Sequence, residues 1–188
     1  MPKKPEEKAY QLKITLEGLD PPIWRRVQVT GNMTLGDLHC VVQSVMNWEN
    51  CHFHEFEVRG NRFSSAQSGL DEMFGDVGDE DAMCLADLNL RKGSKLTYTY
   101  DFGDSWEHLI EVEATLDRDP EAGYPVYVDG QYAGPPEDVG GVWGYADMMI
   151  ALQDETDPEH EHWKEFFPDW DGYSLDEDRI RARLRKVL

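Results

Sequence analysis

Between residues 10 and 29 the chain alternates apolar and polar side chains around the turn signal G-L-D-P-P. Tyr10, Leu12, Ile14 and Leu16 interleave with Gln11, Lys13 and Thr15, and I-W-R-R-V-Q-V at 23–29 reads as the returning strand. Successive side chains of a strand face opposite sides, so this period of two predicts a hairpin with one dry face. A helix follows. Thr34 and Asp37 form a T-x-x-D capping box, and Leu35, Leu38, Val41, Val42, Val45 and Met46 come at helical spacing.

C-H-F-H-E-F-E-V at 51–58 predicts a third strand, and N-R-F at 61–63 a short return. Residues 64–83 are mostly Ser, Gly, Asp and Glu and predict a solvated loop. Within it, D-V-G-D-E-D at 76–81 lacks the alternating ligands and terminal glutamate of a calcium loop. L-A-D-L-N-L then precedes a strand starting near Leu96, in the manner of the final crossover of ubiquitin-like chains. Trp106, His108, Ile110 and Val112 share one face of the next strand, and Glu107, Glu111 and Glu113 the other. D-F-G-D-S joins the two strands, with Gly103 expected to take the unusual backbone angle.

The expected fold is α+β: a β-grasp-like mixed sheet with one packed helix over 9–114, plus a loop and helical extension over 115–188. Residues 1–8 are expected to be a flexible leader and 9–188 a single domain. In the extension, 143–152 and 158–167 predict two short helices. An S-x-x-E box at Ser174 and Glu177 opens a last one, with Ile180, Leu184, Val187 and Leu188 as its apolar stripe.

Charge narrows the function classes. The 188 residues carry a formal net charge of -20, with 40% hydrophobic side chains. That is a globular composition without the basic footprint that phosphate backbones or anionic membranes require, so neither direct nucleic-acid binding nor a membrane role is expected. Cys40, Cys51 and Cys84 form no C-x-x-C pair, which suits reduced thiols in the cytoplasm. The leader has no apolar segment of the kind a signal peptide needs, and no run is long enough to span a bilayer.

The D-F-G tripeptide is not a kinase feature, because neither a glycine-rich phosphate loop nor H-R-D accompanies it. Cys51 and His52 are strand neighbours facing opposite ways, which excludes a thiol–imidazole pair. Trp24, Trp48, Trp106 and Trp143 are expected in the core. His52 and His54 on one strand and His108 on another have the ligand types for zinc, manganese or iron. A divalent metal is therefore the one cofactor these residues would admit, through His52, His54 and His108, although none is required.

Five ordered segments carry a resemblance: P-P-I-W-R-R-V, T-L-G-D-L-H, W-E-N-C-H-F-H-E-F, Y-D-F-G-D-S-W-E-H and P-P-E-D-V-G-G-V-W-G-Y. Together they resemble the plasmid pRiA4b ORF-3-like family, also labelled transposon-passenger TnpR-like proteins. The resemblance implies a single compact α+β domain carried by bacteria, archaea and their mobile elements, plasmids among them, and it implies no reaction. Relatives carry cysteines roughly where Tyr127, Gly134 and Val139 stand here, so thiol chemistry at those positions is not carried over. The matching positions define a candidate binding pocket of His52, His54, Asp101, Asp104, Trp106, His108, Glu137 and Asp138. Two functions are expected from it. One is a non-enzymatic binding or interaction module for an unidentified protein or small molecule. The alternative is a metal-dependent hydrolase or nuclease with Asp101 or Asp104 as base.

Overall fold

The computed structural model describes residues 8–69, 75–168 and 170–187. The leader up to residue 7, part of the 64–83 stretch and Leu188 lie outside them.

The hairpin forms as its alternation predicts. β1 (Lys8–Leu16) and β2 (Ile23–Thr30) pair antiparallel. Leu12, Ile14, Leu16, Val27 and Val29 are fully buried on one face. On the other face, Arg26 makes a two-pronged contact with Glu113 at 2.6 and 2.8 Å and lies over the ring of Trp24. An antiparallel sheet can be solvated on one side in this way. Trp24 is therefore half-buried on the wet face and not a core residue.

α1 (Leu35–Met46) opens with both hydrogen bonds of the expected capping box and ends at Asn47 in the left-handed region. Its Leu35, Leu38, Val41, Val42 and Val45 enter the core with no exposed surface. β3 (His54–Val58) is shorter than expected and leaves His52 in the preceding loop. β4 (Asn61–Ser64) pairs with it. In place of a wholly solvated loop, β5 (Val77–Asp79) runs parallel to β4, and a turn of tight helix at Glu80–Ala82 follows.

β6 (Lys95–Tyr100) and β7 (Trp106–Asp117) make the second hairpin. At its corner the left-handed angles fall on Asp101 (φ 55°) and Ser105 (φ 54°), not on Gly103. The Asp101 side chain accepts the Gly103 amide at 2.9 Å, so the aspartate closes the turn that the glycine was expected to supply.

β8 (Val126–Gln131) lies in a segment that reads as loop, yet pairs with β2 at the sheet edge. The eight strands run in the order β5-β4-β3-β6-β7-β1-β2-β8. β1 is antiparallel to β7, and the parallel pairing is at the β4–β5 edge. The α+β class holds, while the β-grasp likeness does not carry over to these pairings.

α2 (Gly141–Gln153), α3 (His160–Phe166) and α4 (Glu177–Leu184) complete the chain. α4 is capped by Asp176, which accepts the Arg179 amide at 2.9 Å. Ser174 instead bonds Asp171, so the S-x-x-E reading misplaced this cap by two residues. Ile180 and Leu184 join the core with Val187 packed beside them. Trp143 is 83% exposed on α2, contrary to its expected place inside. Among the described residues, no helix is long and apolar enough to cross a membrane.

Candidate functional site

The eight expected pocket residues separate into three places. The first is the mouth between α1 and β3. His39 projects from the buried side of α1, where Leu35 four residues earlier sets the apolar face. Its neighbours form a closed ring of hydrogen bonds. The Asn50 backbone N–H donates to Gln43 Oε1 (2.9 Å), and Gln43 Nε2 donates to Tyr98 Oη (3.1 Å). Tyr98 Oη contacts His39 Nδ1 (2.7 Å), and His39 Nε2 contacts Asn50 Oδ1 (2.8 Å). An amide oxygen only accepts, so Nε2 carries the proton and Nδ1 accepts from the tyrosine. Burial, with the neighbouring His54 as a further cause, lowers the His39 pKa to about 3. The ring is neutral at ordinary pH.

His54 stacks on His39, with centroids 3.4 Å apart and planes within 5°. Its Nε2 meets Glu80 Oε2 at 2.8 Å, and that carboxylate is itself buried. A cavity of about 400 Å³ opens over the stacked pair. It is lined by His39, Asn50, His52, His54, Glu80 and Asp81, with Ser64 and Phe53 at its sides. Phe53 is 59% exposed. Among the described residues, no lysine or arginine lines it. His39, Asn50 and Glu80 were not found from sequence. His39 left one signal, a polar residue on the apolar face of a helix. Glu80, in a run of acidic residues, left none.

The second place lies outside the strand end. His52 Nε2 is 3.0 Å from Asp138 Oδ1 and 3.7 Å from Asp101 Oδ2. Both aspartates sit in the left-handed region, at φ 61° and 55°. Glu137 pins the loop that carries Asp138. Its carboxylate accepts from Tyr100 Oη at 2.5 Å and from the Glu49 amide at 2.8 Å. Trp48 Nε1 donates to Pro135 O at 2.8 Å in the same loop. Desolvation, then the Glu137 hydrogen bond, raises the Tyr100 pKa well above that of a free phenol. Asp104 accepts the Gly140 amide at 3.1 Å and so anchors the start of α2.

The third place is the core. Trp106 and His108 have no exposed surface. His108 Nδ1 bonds the Trp106 carbonyl at 3.0 Å, and burial lowers its pKa to about 4. Neither His108 Nε2 nor Trp106 Nε1 has a hydrogen-bond partner of normal geometry. Among the described residues, the group of His, Cys, Asp and Glu whose ligand atoms lie within 4.8 Å of one another is His52, Asp101 and Asp138. His54 and His108 do not join it. The expected three-histidine ligand set is therefore not assembled, because His54 is committed to Glu80 and His108 faces the aromatic core.

The description "Plasmid pRiA4b ORF-3-like protein" belongs to a family model that matches residues 8–179. "Uncharacterized protein y4hQ" of Sinorhizobium fredii is 40% identical over 181 residues, covering 94% of this chain and 87% of its own. The crystal structure of a "Protein of Unknown Function", MM3350 from Methanosarcina mazei Go1, superposes with a TM-score of 0.81 at 36% identity. It covers 92% of this chain and 97% of its own.

Proposed function

The chain belongs to the plasmid pRiA4b ORF-3-like protein family, and from that premise we propose that it is a non-enzymatic binding module for a small polar amine. The observation that carries this is the stacked His39–His54 pair backed by the buried Glu80 and open to a cavity of about 400 Å³. A small number of convergent polar groups in a cavity is the arrangement that orients a bound ligand. Glu80 and Asp81, with no cation among the described lining residues, favour positive charge, and the exposed Phe53 offers a ring face to an ammonium group. The three free cysteines suit a cytoplasmic setting. The core cluster runs from Tyr10 to Leu184, in keeping with residues 9–188 as one domain.

Thermal shift and histidine-ring NMR with putrescine and choline as cationic probes, and citrate and phosphate as anionic ones, test the proposal. The amines are expected to stabilise the protein and move the His54 ring signals, and Glu80→Gln to abolish both effects. A response to the anions alone, or to no probe, contradicts it. Chemical turnover of a bound amine contradicts its non-enzymatic part.

A further inference from the structure

We propose that His52, Asp101 and Asp138 hold one divalent transition-metal ion at the lip of the His39–His54 cavity, where the ion fastens the loop at 135–139 to the β6–β7 corner. An imidazole with two carboxylates is a ligand set that zinc and manganese accept. The spacing fits. Ligands about 2.0–2.2 Å from a tetrahedral ion stand roughly 3.3–3.5 Å apart, and the distances of 3.0 and 3.7 Å from His52 Nε2 bracket that range.

Direction fits as well. Asp138 Oδ1 is within ion-pair distance of His52 Nε2, yet this buried nitrogen has no hydrogen bond of normal geometry. The oxygen therefore lies off the axis of the ring nitrogen. Two ligands aimed at a common third point have that relationship, and a direct N–H···O bond does not.

Three segments supply the ligands, and the two that carry the aspartates are fixed from behind. The Gly103 amide occupies Asp101 Oδ1, which leaves Oδ2 for the site. Glu137, bonded to Tyr100 and the Glu49 amide, holds the residue next to Asp138. Supports of this kind orient ligands in metal sites. Since His52 also lines the cavity, coordination positions not filled by protein are accessible from it. The proposal does not depend on the amine reading, because Asp101 and Asp138 lie outside that cavity's lining and His52 alone is shared with it.

The test uses full-length protein without a histidine tag, stripped with a chelator and titrated with Zn²⁺ or Mn²⁺ by calorimetry. One ion per chain is expected, together with a rise in Tm. His52→Gln and Asp138→Asn are each expected to weaken binding by more than about tenfold. Asp138 is largely exposed, with 75% of its side chain accessible, so Asp138→Asn decides the matter even if His52→Gln folds poorly. Absence of binding by both ions overturns the proposal, as does undiminished binding in folded Asp138→Asn and Asp101→Asn, which would place the ion elsewhere on the acidic surface.

Discussion

His39 accepts the hydroxyl of Tyr98 through Nδ1 at 2.7 Å while its ring lies flat against His54, 3.4 Å away. The helix and the sheet are thereby joined by a buried polar contact, which forms the floor of the cavity. A closed hydrogen-bond ring in a low dielectric is strong when complete and costly when broken.

Acid should destabilise the protein through these histidines. The folded pKa of His39 is lowered from 6.5 to about 3 and that of His108 to about 4. The unfolded state then binds protons that the folded state refuses, so stability is full above about pH 6.5 and falls as pH drops towards these values. The loss is on the order of a few kcal/mol. His39→Gln can still accept from Tyr98 and donate to Asn50, and it should flatten the decline. Urea unfolding from pH 7 to pH 4 measures the slope, and an unchanged slope in His39→Gln would show that His39 titrates normally.

Tyr100→Phe removes the hydroxyl shared by Glu137 and the Cys51 amide. It should cost about 1–3 kcal/mol, since a charge-assisted bond and a backbone bond are lost together. Amide exchange should quicken around Glu137 and Asp138 more than in β1. Equal protection in both proteins would mean that the loop is held by other contacts.

Gly134→Ala should be poorly tolerated. A Cβ there would stand 2.3 Å from the Met46 carbonyl oxygen, which is backbone at the end of α1 and cannot rotate away. A loss of about 2 kcal/mol or more is expected from such overpacking. Gly93→Ala is the control, because nothing lies within 4 Å of the added atom. Its cost comes from its left-handed φ of 84° alone. Comparable melting temperatures for the two variants would contradict the close approach.

Arg25 is fully buried and bonds the carbonyls of Val45, Trp24 and Gln131, tying α1 to the end of β8. Burial lowers its pKa to about 10, so it remains charged at neutral pH. Arg25→Ala strands these carbonyls and should cost about 3 kcal/mol. Arg25→Lys should recover only part of that, because a single ammonium cannot reproduce the planar fork. Full recovery in denaturant unfolding would show that the charge alone suffices.

What the sequence made legible was periodic. β1, β2 and α1 follow from alternation, a capping box and a helical stripe, signals written in neighbouring residues. β8 was illegible because V-Y-V-D-G-Q at 126–131 sits between proline- and glycine-rich stretches, and only the edge of β2 makes it a strand. Trp143 looked like core by residue type, yet the face of α2 that carries it is exposed, which no local pattern records. The site divided for a similar reason. His52 and His54 are two residues apart, but β3 begins at His54. His52 therefore escapes the strand's alternation and reaches Asp138, eighty-six positions further on, while His54 turns inward to Glu80.

That division is the centre of the account, and long-range proton–nitrogen NMR of the imidazoles during a Zn²⁺ titration tests it most directly. The His52 signals should shift at one equivalent while those of His54 and His108 stay in place. Joint movement of His52, His54 and His108 would mean that they share one ion, and the separation of outer cluster, inner pair and core would be wrong.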